Sequence, residues 1–236
     1  MTSFNKVFLT GCDSKTEWML PWFVQNFAMH NDTPLVFADF GVSSECRETL
    51  SHLGFADIIS MRNTSIDLET GNPAKLVNWF KKPKAMLLCG KYSEYTCWID
   101  SDIEVFADIS DVFDYVEPNR LGMVKDRPWT KRSGENWYNS GIVAFKDRPE
   151  ILSKWAWEIE QGKHQQRGDQ EVLHLMLDSP LKQMIHISEV PNEYNWLRLQ
   201  IEHDNEHPKK IKTIHWTGHK GKDRIMSKMG MDHINA

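Results

Sequence analysis

The sequence predicts an α/β protein with a mostly parallel central sheet and helices on both faces. Two observations carry this prediction. Runs rich in β-branched and aromatic residues alternate with stretches whose apolar residues recur at helical spacing. Gly and Pro separate many of these segments, as they do at turns. Alternation of strand and helix favours a parallel sheet, because the connecting helices cover both of its faces.

The first sixty residues contain three strands and two helices in alternation. Gly11 ends the first strand, and Ser residues cap the start of the second helix. In chain order, the predicted elements are the strand KVFLTGC, the helix TEWMLPWFVQNFAMH, the strand TPLVFADFG, the helix SSECRETLSHLGF and the strand ADIISM.

Residues 62–74 are polar and rich in turn formers. Two helical segments, AKLVNWFKK and KAMLLCGKY, follow on either side of Pro83 and lead into the strand YTCWI. The remaining predicted elements are the short helix DISDVFDYV, the strands LGMVKD and GIVAF, the helix RPEILSKWAWEIEQG begun by Pro149, the helix GDQEVLHLMLDS and the last strand IKTIHW, which has a Gly/Lys-rich end. We expect a single domain, 1–236, because no linker or repeat interrupts this order.

Composition excludes several classes of function. The formal net charge is −5 and the Lys and Arg residues form no long run, so nucleic acid is not an expected partner. The apolar run at the N-terminus is too short for a signal peptide, and no later stretch approaches a membrane span. We therefore expect a soluble cytoplasmic protein. The four cysteines lack metal-ligand spacing and are predicted to be reduced.

Three carboxylates crowd the end of the strand YTCWI, at Asp100, Asp102 and Glu104. Residues two apart on a strand share a face, and two carboxylates about 4 Å apart repel by roughly 4 kcal/mol at an effective dielectric near 20. A hard divalent cation such as Mg²⁺ or Mn²⁺ would offset that repulsion. Two alternatives stay open: a solvated strand end, or the aspartyl nucleophile of a haloacid-dehalogenase-like phosphatase, although about a hundred residues precede this motif.

Four segments, in order, resemble the family 8 glycosyltransferases, which are related to glycogenin and to bacterial lipopolysaccharide galactosyltransferases. These segments are WIDSDIEVFADISDVF, NSGIVAF, GDQEVLH and IHWTGHKGK, and VPNEYNWL is similar to a further element of the family. The resemblance implies the GT-A fold, a Rossmann-like arrangement. It also implies a nucleotide-binding half, about 1–105, and an acceptor and sugar half, about 106–236.

The resemblance implies transfer of a hexose from a nucleotide-sugar donor, most often a UDP-sugar, to an acceptor hydroxyl with retention at the anomeric carbon. It implies Mn²⁺ as the metal, bound by Asp100, Asp102 and His215. The ligand chemistry agrees with this implication, because an imidazole beside carboxylates shifts the metal preference of a site from Mg²⁺ towards Mn²⁺. The metal would neutralise charge on the departing diphosphate.

The same resemblance assigns donor contacts to residues near the predicted strand ends. Asp13 stands where the family contacts the uracil or ribose, and Lys84 where the family usually has a donor-binding arginine. Ser101 lies between the two metal-binding carboxylates. Front-face attack, in which the departing phosphate accepts the acceptor's proton, fits retention without an obvious nucleophile, and a covalent intermediate on a carboxylate stays open.

The C-terminal motif departs from the family pattern. The family's basic residue usually stands six positions after the histidine, where this sequence has Gly221. Gly218 would allow the backbone to approach phosphate closely. Of the two nearby lysines, we expect Lys220 rather than Lys222 to contact the diphosphate.

Asn139 and Gly141 match the positions at which the family contacts the donor sugar. Asp169 and Gln170 match the pair that lines the family's reaction centre. The sequence predicts that Asp169 orients sugar hydroxyls and that Gln170 lies near the reactive face. Asp126 is a weaker candidate for a sugar or acceptor contact. No motif accounts for Glu104, which we expect to be a solvated side chain.

The acceptor is open from sequence: a glycan, a protein or a lipid-linked saccharide. The polar and aromatic span 126–138 could line its site, and Trp129 and Trp137 could stack on a sugar or simply anchor the loop. A domain that binds a nucleotide sugar without turning it over is the non-enzymatic alternative.

Overall fold

The computed structural model describes residues 3–62, 78–161, 168–207 and 209–231. In this part of the chain the strands are β1 (Phe4–Cys12), β2 (Leu35–Asp39), β3 (Asp57–Ser60), β4 (Ser93–Ile99), β5 (Ile103–Val105), β6 (Leu121–Lys125), β7 (Tyr138–Lys146), β8 (Ile187–Val190), β9 (Trp196–Leu197) and β10 (Thr213–His215). The α-helices are α1 (Leu20–Ala28), α2 (Ser44–Leu50), α3 (Lys82–Cys89), α4 (Arg127–Ser133), α5 (Glu150–Glu160), α6 (Asp169–Met176), α7 (Pro180–His186), α8 (Arg198–Glu202) and α9 (Gly218–Lys228). Short 3₁₀ helices cover Glu17–Met19, Asn78–Lys81, Ser110–Tyr115 and Asn192–Tyr194.

Seven strands form the central sheet, in the order β3-β2-β1-β4-β7-β6-β8. Four of its six strand pairings are parallel, and β7 runs antiparallel to both of its neighbours. The predicted α/β architecture with a mostly parallel sheet is confirmed.

Apolar side chains cover both faces of this sheet. Along β1, Val7 and Leu9 point to a core built with α3, α5 and α6, whereas Phe8 points to a core built with α1 and β5. Period-two alternation of a strand produces this division. Helices therefore cover both faces, as the sequence predicted.

A second sheet of three strands, in the order β5-β10-β9, begins where β4 leaves the central sheet. The chain turns between Asp100 and Ile103, whose N–H donates to the Asp100 carbonyl at 3.1 Å. β5 then pairs antiparallel with β10, and His215 lies opposite Ile103. The acidic motif is thus the turn that joins the two sheets.

Several elements differ from the sequence prediction. Pro83 lies within the first turn of α3 instead of separating two helices, and the span after Asp126 forms α4 instead of a loop. The last strand joins the small sheet, and the Gly/Lys-rich end forms α9. Residues 63–77, which include the start of AKLVNWFKK, lie outside the described residues.

Two expectations from composition can be compared with this fold. The four cysteines are free thiols, and three of them, Cys12, Cys89 and Cys97, are buried. Burial raises the pKa of Cys89 to about 12, which keeps that thiol protonated. Among the helices that the structure describes, none has the length and apolar character needed to cross a bilayer.

Candidate active site

A cavity of about 880 Å³ opens where β1 and β4 end and where the antiparallel strand β7 begins. In open α/β sheets ligands bind at this edge. Most of the residues singled out from sequence line the cavity: Asp13, Asp100, Ser101, Asp102, Asp126, Asn139, Gly141, Asp169, Gln170, His215 and Gly218. The fold therefore brings together side chains that are up to two hundred residues apart in sequence.

Asp100, Asp102 and His215 could hold a metal ion, because one ligand atom from each residue lies within 4.8 Å of the others; we call these three residues the metal cluster. His215 Nε2 is 3.1 Å from Asp102 Oδ1 and 3.6 Å from Asp100 Oδ2. Backbone pairing sets these distances, because the Trp216 N–H donates to the Asp102 carbonyl at 2.9 Å. The turn and β10 are therefore locked side by side.

A chain of hydrogen bonds determines which nitrogen of His215 carries a proton. The Gly141 backbone N–H donates to Asn139 Oδ1, which also accepts from Asn195 Nδ2 at 2.8 Å. Asn195 must then present its oxygen to His215 Nδ1, 3.1 Å away. Because Nδ1 donates there, Nε2 is the nitrogen that faces the carboxylates.

This arrangement fits a bound metal ion. A lone pair that faces a carboxylate oxygen at 3.1 Å is repelled unless a cation, either a proton or a metal ion, lies between the two. Ligands at about 2.1 Å from one octahedral ion stand about 3 Å apart, close to the observed spacing. Metal-binding histidines typically donate their other nitrogen to an oxygen, as His215 does to Asn195.

Asp102 is held in its ionised form. Burial opposes ionisation, but the neighbouring His215 and the Lys222 ammonium outweigh it and hold the pKa of Asp102 well below its ordinary value. Lys222 Nζ lies 3.4 Å from Asp102 Oδ2. The carboxylate is therefore available as a metal ligand throughout the neutral pH range.

A buried lysine, Lys82, pairs with two acids on the other side of Asp100. Its Nζ lies 3.0 Å from Asp100 Oδ1 and 3.4 Å from Asp169 Oδ2. Burial alone would lower the pKa of the Lys82 ammonium, but Asp100 and Asp169 outweigh it and raise the pKa. Burial likewise raises the pKa of Asp169, and Lys82 only partly opposes it. The shorter pair with Asp100 is the stronger one, and Asp169 Oδ2 accepts no hydrogen bond from the described residues.

The half-buried Gln170 and the buried Asn139 and Asp126 form a polar network beside this pair. Asp126 Oδ2 accepts from Asn139 Nδ2 and from Gln170 Nε2, each at 3.1 Å. Gln170 Oε1 accepts from the Ser140 N–H at 3.1 Å. Every polar atom of the Gln170 side chain is thus oriented, and Asp126 is a central member of the site.

Two of the predicted basic residues lie away from the cavity. Lys84 forms a surface pair with Glu160 at 2.8 Å, and Lys220 lines a separate small pocket beside α8. Lys82 and Lys222 occupy the positions beside the acids instead. Pro is favoured in the first turn of a helix, so Pro83 could have indicated that α3 begins at Lys82.

Glycines shape the cavity floor around the metal cluster. A Cβ on Gly141 would approach His215 Cε1 within 2.4 Å, so only glycine leaves room for the imidazole. Gly218 begins α9 with φ of +74°, a conformation that favours glycine. Ser101, between the metal ligands, is buried at the cavity edge.

Asp13 lies at the end of the cavity next to β1. Its Oδ2 accepts from Asn78 Nδ2 at 2.9 Å, and its Oδ1 accepts from the Lys15 N–H at 3.0 Å. These contacts fix the carboxylate at the cavity border.

The expectation for Glu104 is wrong. Instead of being solvated, its side chain is buried, accepts from Trp216 Nε1 at 2.8 Å and pairs with Lys228 at 2.8 Å. Register explains this, because β5 places Glu104 opposite Ile214, next to His215. Glu104 ties α9 to the strand that carries the histidine.

The fold is similar to that of a class of known proteins, glycosyltransferases of the GT-A type. The chain is similar to LgtC, a galactosyltransferase whose structure holds donor and acceptor sugar analogues, with a TM-score of 0.61 and 14% identity over 95% of both chains. It is similar to the bifunctional glycosyltransferase WbbM, with a TM-score of 0.65 and 16% identity over 93% of this chain and 46% of that one. Mouse xyloside xylosyltransferase 1 gives a TM-score of 0.57 and 12% identity over 90% and 97%.

Comparison by sequence finds no similar protein or family. No protein-family model matches the chain, and no curated protein matches it. At such low identities the structural likeness establishes the fold, and what the protein does must be argued from its own residues.

Proposed function

We propose that the protein is a metal-dependent glycosyltransferase that moves a hexose from a nucleotide sugar, a UDP-sugar in the first instance, to an acceptor hydroxyl with retention of anomeric configuration. The observation that carries this proposal is the metal cluster, two carboxylates and an imidazole within 4.8 Å, in the main cavity of a glycosyltransferase fold. The carboxylates and the imidazole together favour Mn²⁺, with Mg²⁺ as the weaker candidate.

Asp100, Asp102 and His215 would hold the metal ion, which supplies Lewis-acid stabilisation of the departing diphosphate. Lys222, beside Asp102, adds a positive charge where that diphosphate would lie. Gly218, at the start of α9, leaves the backbone there uncovered. Asp13 borders the far end of the cavity and is the candidate for the ribose or base.

The buried pair of Lys82 and Asp169 would orient the hexose. Asp169 Oδ2 has no hydrogen bond from the described residues, so a sugar hydroxyl could donate to it. Gln170, fixed by Asp126 and Ser140, would face the reacting carbon. In front-face transfer the bond from the anomeric carbon to the diphosphate breaks, the bond to the acceptor oxygen forms on the same face, and the acceptor's proton passes to the departing phosphate oxygen.

The test is consumption of UDP-hexoses by the purified protein with Mn²⁺ and with a chelator. We expect turnover with the metal and none without it. Asp102→Asn should lower the rate by more than about a hundredfold, since even groups that merely orient metal ligands contribute about ten- to a hundredfold. Asp114→Asn, which changes an exposed aspartate outside the cavity, is the matched control and should keep the wild-type rate.

Two other outcomes would contradict the proposal. Hydrolysis of simple phosphomonoesters with an acid-labile phosphoaspartate would instead indicate a phosphatase that uses Asp100 as its nucleophile. Calorimetry that shows tight, metal-dependent binding of a UDP-sugar, with no product after long incubation, would indicate a non-catalytic sugar-nucleotide-binding domain.

A further inference from the structure

Two tryptophans, Trp129 and Trp137, line the main cavity. We call Trp129, Trp137 and His174 the tryptophan wall. His174 stacks on Trp137 with ring centroids 3.6 Å apart and an interplanar angle of 11°. Trp137 in turn lies 5.9 Å from Trp129, and both tryptophans line the cavity.

The side chain of Trp129 is partly exposed although it has neighbours. Arg132 lies over its ring at 5.8 Å and Trp137 contacts it, yet 47% of the residue is exposed. A large exposed aromatic that lines a cavity lacks the apolar cover that a core tryptophan has. Its ring surface is available to a ligand.

Several contacts hold the tryptophan wall rigid. The Trp137 N–H donates to Thr130 Oγ1 at 3.0 Å, and His174 Nε2 lies 3.0 Å from Glu135. On the outer side of α4, Lys131 pairs with Asp204 at 2.8 Å. A preorganised surface loses little conformational freedom when a ligand binds.

Asp126 connects the tryptophan wall to the reaction centre. Its Oδ1 accepts from the Trp129 N–H at 3.0 Å and so caps α4. Its Oδ2 accepts from Gln170 Nε2 at 3.1 Å. One buried carboxylate therefore sets the position of Trp129 relative to Gln170, and a molecule stacked on the wall would lie next to the residues around the transferred sugar.

We propose that the tryptophan wall is the acceptor subsite and that the acceptor is a saccharide, one sugar ring of which stacks on Trp129; this inference rests on the proposed glycosyltransferase function. An indole face covers the flat C–H face of a sugar and leaves the hydroxyl groups at the ring edge free to bond elsewhere. Asp126 and Gln170 line the same cavity and place polar side chains beside the tryptophans.

A peptide acceptor fits this cavity less well. Extended peptides typically bind by adding to an open strand edge. β4, which ends at the cavity, and β7, which begins there, are each paired on both sides. β9 has only two residues, and its Leu197 N–H already donates to Gln200 at 3.2 Å. The cavity therefore offers aromatic stacking instead of backbone pairing.

The experiment measures transfer from UDP-hexoses with Mn²⁺ to a panel of disaccharides of glucose, galactose and mannose and, in parallel, to short peptides that contain Ser, Thr and Tyr. We expect disaccharides to act as acceptors. Trp129→Ala should raise KM for the disaccharide about tenfold, equivalent to about 1.4 kcal/mol, and change kcat much less. Trp129→Tyr, which keeps an aromatic face, should recover most of that loss. Saturation-transfer NMR should show ring protons of the saccharide on the wild type and a weaker signal on Trp129→Ala.

Trp157→Ala is the matched control, because Trp157 is exposed on α5 and does not line the cavity. Its disaccharide KM should equal that of the wild type. Transfer to peptides only, no transfer to any disaccharide, or an unchanged KM in Trp129→Ala would overturn the acceptor proposal alone, provided that the wild type consumes the donor. A wild type that neither binds nor consumes any UDP-hexose with Mn²⁺ would instead contradict the proposed function.

Discussion

The metal cluster and the tryptophan wall border the same cavity and are built in opposite ways. His215 in the metal cluster is almost fully buried, and each of its side-chain nitrogens faces an assigned partner. Trp129 in the tryptophan wall is about half exposed, and its ring contacts the ring of Trp137 and one guanidinium. Directional buried bonds fix atoms to a fraction of an ångström, whereas ring faces accept ligands of varied shape. This difference supports the two proposed roles, chemistry at the metal cluster and acceptor recognition at the tryptophan wall.

Charge separates the two regions as well. The metal cluster holds Asp100 and Asp102, and buried or partly buried lysines, Lys82 and Lys222, compensate them. Apart from the buried Asp126, which caps α4, charges near the tryptophan wall form pairs such as Lys131 with Asp204, in which the lysine is exposed. Removing a buried partner leaves an uncompensated charge, while removing an exposed partner changes little. We therefore expect effects to decrease from the first region to the second.

The largest effect is expected from Lys82→Met, which removes the buried ammonium between Asp100 and Asp169. Breaking such a pair costs about 3 kcal/mol of unfolding free energy, the low end of the usual range, because Asp169 can take up a proton. Chemical denaturation measures it. The loss should shrink as pH falls towards the ordinary range of a carboxyl group, since a protonated Asp169 needs no cation.

Lys84→Met is the matched control for that variant. Lys84 and Glu160 are both more than a third exposed. Its stability should stay within about 0.5 kcal/mol of the wild type at every pH. An equal loss of stability in the two variants would show that the buried Lys82 pair contributes no more to stability than the exposed Lys84 pair does.

A second effect is expected from Asn195→Ala, which leaves every metal ligand in place. Without Asn195 Oδ1 the imidazole of His215 loses the bond that fixes its tautomer. We expect Mn²⁺ binding to weaken by about ten- to a hundredfold in calorimetric titration. Asn26→Ala, which removes a side-chain amide on α1 far from the cavity, should bind Mn²⁺ like the wild type. Unchanged affinity in a folded Asn195→Ala protein would break the link between this hydrogen-bond chain and the metal.

The smallest effect on the metal side is expected from Lys222→Ala. Lys222 is partly exposed, so its charge is partly screened, and we expect the donor KM to rise about tenfold. Lys220→Ala should leave the donor KM within about twofold. The opposite order would favour Lys220, the residue expected from sequence, as the diphosphate contact. Both effects can be compared directly with that of Trp129→Ala on the acceptor KM.

Much of the fold follows from local patterns. The strands KVFLTGC and YTCWI and the helix begun at Pro149 form where the sequence predicts them, because their apolar periodicity and turn residues act within a few positions. β9 and α8, by contrast, are short and carry weak periodicity, so their sequences did not indicate them. They form because β10 and the buried Tyr194 region hold them in place.

The site residues, too, divide into those that local sequence patterns indicate and those that only the tertiary structure reveals. Asp169 and Gln170 could be singled out because they begin a helix with a recognisable pattern. Lys82 could not, since a buried lysine and a surface lysine two positions away look alike until the helix is oriented. Asn195 lies in an element that resembles the family, but its bond to His215 depends on how β9 and β10 align.

By itself, the sequence determined the α/β architecture, the place of the acidic turn after a buried strand, and the group of acids, amides and one histidine that gather at the cavity. Only the tertiary structure decided which lysines compensate the acids, which nitrogen of His215 faces them, and that Glu104 is buried. The physical reason is register. Pairing of β5 with β10 joins residues about a hundred positions apart, and a shift of one residue would turn His215 away from Asp102.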